Sequence, residues 1–160
     1  MKGHEYLEIE TRKISAVGAI ITAEDGRILV VQETQDKPVF DKRCGDWSFP
    51  AETLKEGEAV FEALSRLISE EVGDIRFSFD STEDWIGDYN VGSQEKPIWG
   101  RVFLLYAKGR SEELIDLYSI DGEVINHRWI FPMGLQGMAR RKGVWEPLKD
   151  FLGYERRMGR

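Results

Sequence analysis

The chain has 160 residues, of which 41% are hydrophobic and 32% charged, and its formal net charge is −7. That length suits one compact domain, and the composition can fill a core and does not fit a disordered or fibrous chain. The acidic balance argues against nucleic acid as a partner, because a duplex would repel such a surface.

No apolar run approaches the roughly 18 residues of a membrane span, so no membrane partner is expected. Met1 to Lys13 is rich in charge and lacks the apolar stretch of a signal peptide. The single cysteine, Cys44, cannot close an internal disulfide. Together these place the protein in the cytoplasm. From Gly137 to Arg160 the local balance is +4, which leaves residues 1–136 at −11. The plain reading of that basic end is a solvated last helix. The sharper one is a docking edge for an anionic ligand or partner.

In chain order, Ala16 to Ile21 and Ile28 to Val31 are apolar runs separated by Glu24-Asp25-Gly26, a turn signal. This predicts a β-hairpin. Thr34 to Asp46 reads as a polar loop and Trp47 to Pro50 as a short extended piece. A helix is expected over Glu58 to Val72, with Gly57 before it and Gly73 as its stop. Strands follow at about 76–79, 84–89, 98–107 and 124–131, and Trp145 to Leu152 reads as a closing helix. The simplest architecture is α/β, a mixed sheet with helices packed on it.

Projected at about 100° per residue, Val60, Phe61, Ala63, Leu64, Leu67, Ile68 and Val72 share one face of the long helix. Glu71 falls near the middle of that face and Glu70 just beyond its edge. An unpaired buried carboxylate costs several kcal/mol, so Glu71 must be protonated, paired or bound to a cation. One solution is an ion pair with a buried Arg or Lys. The other is a hard cation, Mg²⁺ or Mn²⁺, held by the oxygens of Glu70 and Glu71. Neither His4 nor His127 is near the pair in sequence, which disfavours zinc. Arg66 stands four residues after Glu62 and four before Glu70. It can form an i,i+4 ion-pair ladder or orient a ligand carboxylate.

Glu52-x5-Glu58-x7-Arg66-Leu67-Ile68-Ser69-Glu70-Glu71-Val72-Gly73-Asp74 resembles the signature of the Nudix hydrolase family, G-x5-E-x7-R-E-U-x-E-E-x-G-U, where U is a bulky aliphatic residue. Glu58, Arg66, Ile68, Glu70, Glu71 and Gly73 match. Trp47-Ser48-Phe49-Pro50 resembles the family's approach to the motif. The resemblance implies a single Nudix-like domain over residues 1–160, its sheet sandwiched between helices. The box would span 52–74 and a basic C-terminal helix and tail 144–160. It also implies a metal-dependent hydrolase that cleaves a pyrophosphate bond in a nucleoside-diphosphate-linked substrate. Glu70 and Glu71 would bind Mg²⁺ or Mn²⁺, while Glu58, Arg66 and Gly73 would orient the helix and its loops. Lys42, Arg43 and Trp47 are candidates for substrate contact, and a homo-oligomer is compatible with this reading.

Three positions depart from the pattern. Leu67 replaces a glutamate that would have joined Glu70 and Glu71 in a three-carboxylate patch. Ala51 and Glu52 replace two glycines, and Asp74 replaces the last aliphatic residue. A missing general base typically slows a reaction ~10²–10⁴-fold. The resemblance therefore leaves three outcomes. Another acid substitutes, with Glu52, Glu123 and the Glu112-Glu113 pair as candidates. The enzyme works with altered metal use or a narrow substrate. Or catalysis is lost and the domain binds a nucleotide-type ligand or a protein partner.

Overall fold

The computed structural model describes residues 13–36, 38, 43–78, 85–120, 124–138, 140 and 142–159. Lys42 and Glu123 lie outside the described residues, as do His4, Phe79 and Asp84. Eight strands form one sheet. They are β1 (Ile14–Thr22), β2 (Ile28–Glu33), β3 (Trp47–Ser48), β4 (Ala51–Thr53), β5 (Phe77–Ser78), β6 (Trp85–Asn90), β7 (Trp99–Ala107) and β8 (Val124–Ile130). β1 lies parallel to β7, with Ile14 opposite Trp99 and Thr22 opposite Tyr106. The other pairings are antiparallel, so the sheet is mixed. β1 is covered on both faces, which explains its near-continuous apolar run.

The expected hairpin is present. Ala23 and Arg27 close its turn, and Gly26 takes a φ of 87° there. Helix α1 (Val60–Leu67) covers one face of the sheet through Ala63, Leu64 and Leu67, which pack on Val17, Ile21, Leu29, Phe103 and Leu105. Helix α2 (Trp145–Arg157) covers the other through Leu148 and Phe151, against Ile20, Ile28, Val30 and Leu104. α2 runs five residues past its expected end, and Tyr89 Oη on β6 donates to its Asp150 at 2.6 Å. Among the described residues no helix is long and apolar enough to cross a membrane.

The long helix departs from expectation in two ways. Phe61 is 45% exposed, although the helical projection put it on the buried face. It sits at the rim, its ring centroid 5.5 Å from that of Phe103. The α-helix also stops at Leu67, and Ile68–Val72 continue as a π-turn closed by the Gly73 N–H on the Ile68 carbonyl at 3.0 Å. Gly73 ends the turn with a φ of 114°. Only glycine fits there, because a Cβ would stand 2.4 Å from the Asp116 carbonyl oxygen.

Candidate active site

The residues of the motif converge where β4 meets α1. Glu52 pairs across the sheet with Val17, whose side chain belongs to the α1-side core. Directly paired residues share a face, so Glu52 is presented toward α1. Arg66, in the last turn of α1, reaches back over it. Its Nη1 lies 3.0 Å from Glu52 Oε2 and 3.3 Å from Glu70 Oε2. Nε and Nη2 form a fork on Glu58 at 3.1 and 3.0 Å, and Nη2 also donates to the Thr53 carbonyl at 2.7 Å. One planar cation therefore joins β4, the loop before α1 and the π-turn.

The electrostatics follow from this geometry. Among the described residues Arg66 meets three carboxylates, an excess of negative charge over these four side chains. The Glu58 carboxyl is held down at about 2, first by its hydrogen bonds from Arg66 and then by the Lys55 N–H. The same bonds to Glu58 lead in raising the Arg66 guanidinium above its ordinary value. The Glu62 rung of the expected ladder is spent elsewhere: Glu62 accepts the Ala59 N–H at 3.3 Å and closes the start of the helix.

Glu71 is 2% exposed. Its Oε2 accepts the N–H of Ala51 at 3.3 Å, which offsets part of the cost of burial. Ala51 and Glu52 are neighbours on β4, so one short strand touches both glutamates of the π-turn, Glu71 directly and Glu70 through Arg66. Leu67 is fully buried among the α1-side core residues. The position where the family pattern carries a glutamate here points into hydrocarbon.

Other candidates are dispersed. Trp47 packs on the α2 side of the sheet with Arg128 over its ring, away from the face that carries Glu52. Arg43 is exposed, its Nε 3.5 Å from Asp46 Oδ2. Glu112 pairs with Arg110 at 2.9 Å, and Glu113 accepts the Arg110 N–H.

Two further residues belong to the α1 face: Glu33, which the sequence pattern did not single out, and His127, set aside there as remote from Glu70 and Glu71 in sequence. Glu33 is a buried carboxylate at the end of β2, taking the Ser48 hydroxyl at 3.2 Å. Alternation from Leu29 and Val31 would have placed it on that face. His127 on β8 brings its Nε2 to the Glu71 carbonyl oxygen at 2.5 Å. Its distance in sequence from Glu71 concealed it, since only the β2–β8 pairing carries it there.

Among the described residues no three His, Cys, Asp or Glu side chains close into a metal cage. The donor set is oxygen-only, which suits a hard cation that keeps water and takes further ligands from a substrate. It does not suit zinc.

A sequence profile described as the NUDIX domain matches residues 12–151. No curated protein sequence matches the chain. Several solved structures share the fold. An Ap4A hydrolase binary complex from C. elegans has a TM-score of 0.66 at 16% identity, covering 89% of this chain and 97% of that one. The NUDIX domain of Shewanella oneidensis NrtR, complexed with ADP ribose, has a TM-score of 0.60 at 13% identity, covering 96% and 99%. A bifunctional NMN adenylyltransferase/ADP ribose pyrophosphatase from Francisella tularensis, complexed with AMP and a Mn ion, has a TM-score of 0.60 at 15% identity, covering 97% and 44%.

Proposed function

Since the chain belongs to the NUDIX domain family, whose hydrolases act on nucleoside-diphosphate-linked substrates, we propose that it is a divalent-cation-dependent pyrophosphohydrolase of a nucleotide-type diphosphate. The observation that carries this is the convergence of Glu52, Glu70 and Glu71 about one strand end and one guanidinium. The local excess of negative charge favours a cation there and would repel a bare diphosphate.

Glu70 and Glu71 would hold Mg²⁺ or Mn²⁺. Such an ion supplies neutralisation of the phosphate oxygens and acidification of a bound water. Arg66 keeps Glu70 and Glu52 in register, and Glu58 anchors Arg66. The Ala51 N–H fixes one oxygen of Glu71. Glu52 would take the part of the absent acid at position 67, as the proton acceptor for an attacking water. With its net charge of −7 the protein is expected to act on small molecules and not on nucleic acid, in the cytoplasm.

Leu67 favours a second reading, in which the domain binds a nucleotide-type ligand without hydrolysing it. A panel of nucleoside-diphosphate-linked compounds with Mg²⁺ or Mn²⁺ separates the two. Hydrolysis should release a nucleoside monophosphate, and Glu71→Gln and Glu52→Gln should each reduce kcat/KM by ~10²-fold or more. Full activity in Glu52→Gln would remove Glu52 from the chemistry. Saturable binding with no turnover by the wild type would establish the second reading.

A further inference from the structure

The π-turn that carries Glu70 and Glu71 ends with three consecutive carbonyls, and each is taken by a donor outside the helix. The Ile120 N–H reaches the Glu70 oxygen at 2.8 Å, and the Tyr118 N–H reaches the Val72 oxygen at 3.1 Å. Between them, His127 Nε2 meets the oxygen of Glu71. A helix end leaves its last carbonyls without partners of its own, so these contacts decide how the turn is held. Two of the three are backbone donors. The third is a side chain, on a different element, and it grips the residue whose carboxylate is buried against β4.

A carbonyl oxygen only accepts, so His127 must carry its proton on Nε2. The ring is partly buried and stands on the α1 face of the sheet, since its strand partner Val31 lies in register with Ser48 there. β2 and β8 together therefore aim the ring at the turn from the sheet side. Ala51 holds the Glu71 side chain from β4, while His127 holds its main chain from β8. The two contacts hold Glu71 at both ends, its carboxylate from one strand and its carbonyl from another.

We propose that His127 is a positioning residue for the Glu70–Glu71 pair, acting through the carbonyl of Glu71 to fix where the carboxylates point. The proposal rests on the reading of that pair as cation ligands for its consequence, but not for the contact itself. A histidine that merely satisfied a carbonyl would stabilise the fold without governing the Glu71 side chain. A positioning histidine transmits its loss to Ala51, which touches only the far end of that residue.

The test uses the full chain as wild type, His127→Phe and His127→Gln. Glutamine places an amide N–H near the position of Nε2, and phenylalanine keeps the ring without a donor. Amide exchange at Ala51, measured without metal, should quicken about tenfold or more in His127→Phe and return to within a few-fold of wild type in His127→Gln. The affinity for Mn²⁺, read from free Mn²⁺ by paramagnetic resonance, should weaken about tenfold in His127→Phe and recover in His127→Gln.

Unchanged Ala51 exchange in His127→Phe would overturn the proposal, and so would a His127→Gln protein no better than His127→Phe. If the wild type binds no Mn²⁺ but Ala51 exchange follows the expected pattern, the clamp stands and the metal reading falls. Should His127→Phe fail to fold, His127→Asn, whose amide is too short to reach, replaces it with the same two outcomes.

Discussion

Arg66 Nη1 stands 3.0 Å from Glu52 Oε2, joining the end of α1 to a strand fourteen residues earlier. The same nitrogen reaches Glu70 at 3.3 Å. Arg66→Ala would leave partly buried carboxylates facing one another without a counter-charge. Stability in urea should fall by about 2–4 kcal/mol. Arg66→Lys keeps the charge but cannot fork across Glu58 and reach Glu52 at once, so it should recover less than half of the loss. Adding Glu52→Gln to Arg66→Ala removes one repelling charge and should restore part of the stability. Simple additivity in that double mutant would show that the two side chains are uncoupled.

Glu58 sets an acid limit on this cluster. Its carboxyl titrates at about 2 in the folded chain against an ordinary value of 4.5. A depressed carboxylate contributes stability that is fully present above its unfolded value and is lost as pH falls through its folded value. The contribution should therefore disappear between about pH 4.5 and about pH 2. Urea midpoints measured across that window should fall more steeply for the wild type than for Glu58→Gln. Parallel curves would mean that the Arg66 fork does not hold Glu58 in solution.

The strand order of polar and apolar residues carried much of this architecture in legible form. The hairpin at 16–31, the strand of Trp129 and the closing helix all arise from local alternation and turn chemistry, which act over a few residues. The π-turn was not legible, because no residue type marks the change from α to π geometry at Ile68. The burial of Leu67, by contrast, was legible, because the helical projection put it on the face that packs against the sheet. On a uniform helix it lines up one turn before Glu71, and the motif suggested a carboxylate patch there. The convergence of Glu52 on Arg66 depends on the pairing of β4 with β1, and His127 depends on β8 lying beside β2. Both are contacts between segments far apart in sequence, which periodicity cannot reveal.

Among the described glycines, Gly73 combines the shortest Cβ contact with a positive φ. A Cβ there would meet the Asp116 oxygen at 2.4 Å and the Tyr118 nitrogen at 2.9 Å, both backbone atoms that cannot swing away. Its φ of 114° adds strain for any other residue. Gly73→Ala should lose about 3–5 kcal/mol, or fail to accumulate folded. Gly57→Ala serves as the control, since it also has a positive φ but nothing stands within 4 Å of its Cβ. It should cost only about 1 kcal/mol. Equal losses in the two would mean that the segment around Asp116 and Tyr118 is not packed on the end of the π-turn.

Leu67 poses the sharpest choice between motif and structure. The motif suggests that Leu67→Glu would complete the carboxylate set and create or raise activity. The structure puts the side chain at 0% exposure, in the core that also holds Ala63, Leu64 and Val72. A carboxylate there has no donor to meet it and should cost several kcal/mol. Leu67→Glu is therefore expected to lower the melting temperature sharply without gain in turnover or in Mn²⁺ affinity. Leu67→Ala separates loss of packing from burial of charge, with an expected cost of about 2–5 kcal/mol. Leu67→Met keeps the volume and should cost less than about 1.5 kcal/mol. If Leu67→Glu instead melts with the wild type and binds Mn²⁺ more tightly, α1 must turn its Leu67 face out of the core when a cation is bound. In that case the acid missing from the motif, and not Glu52, would be what limits catalysis.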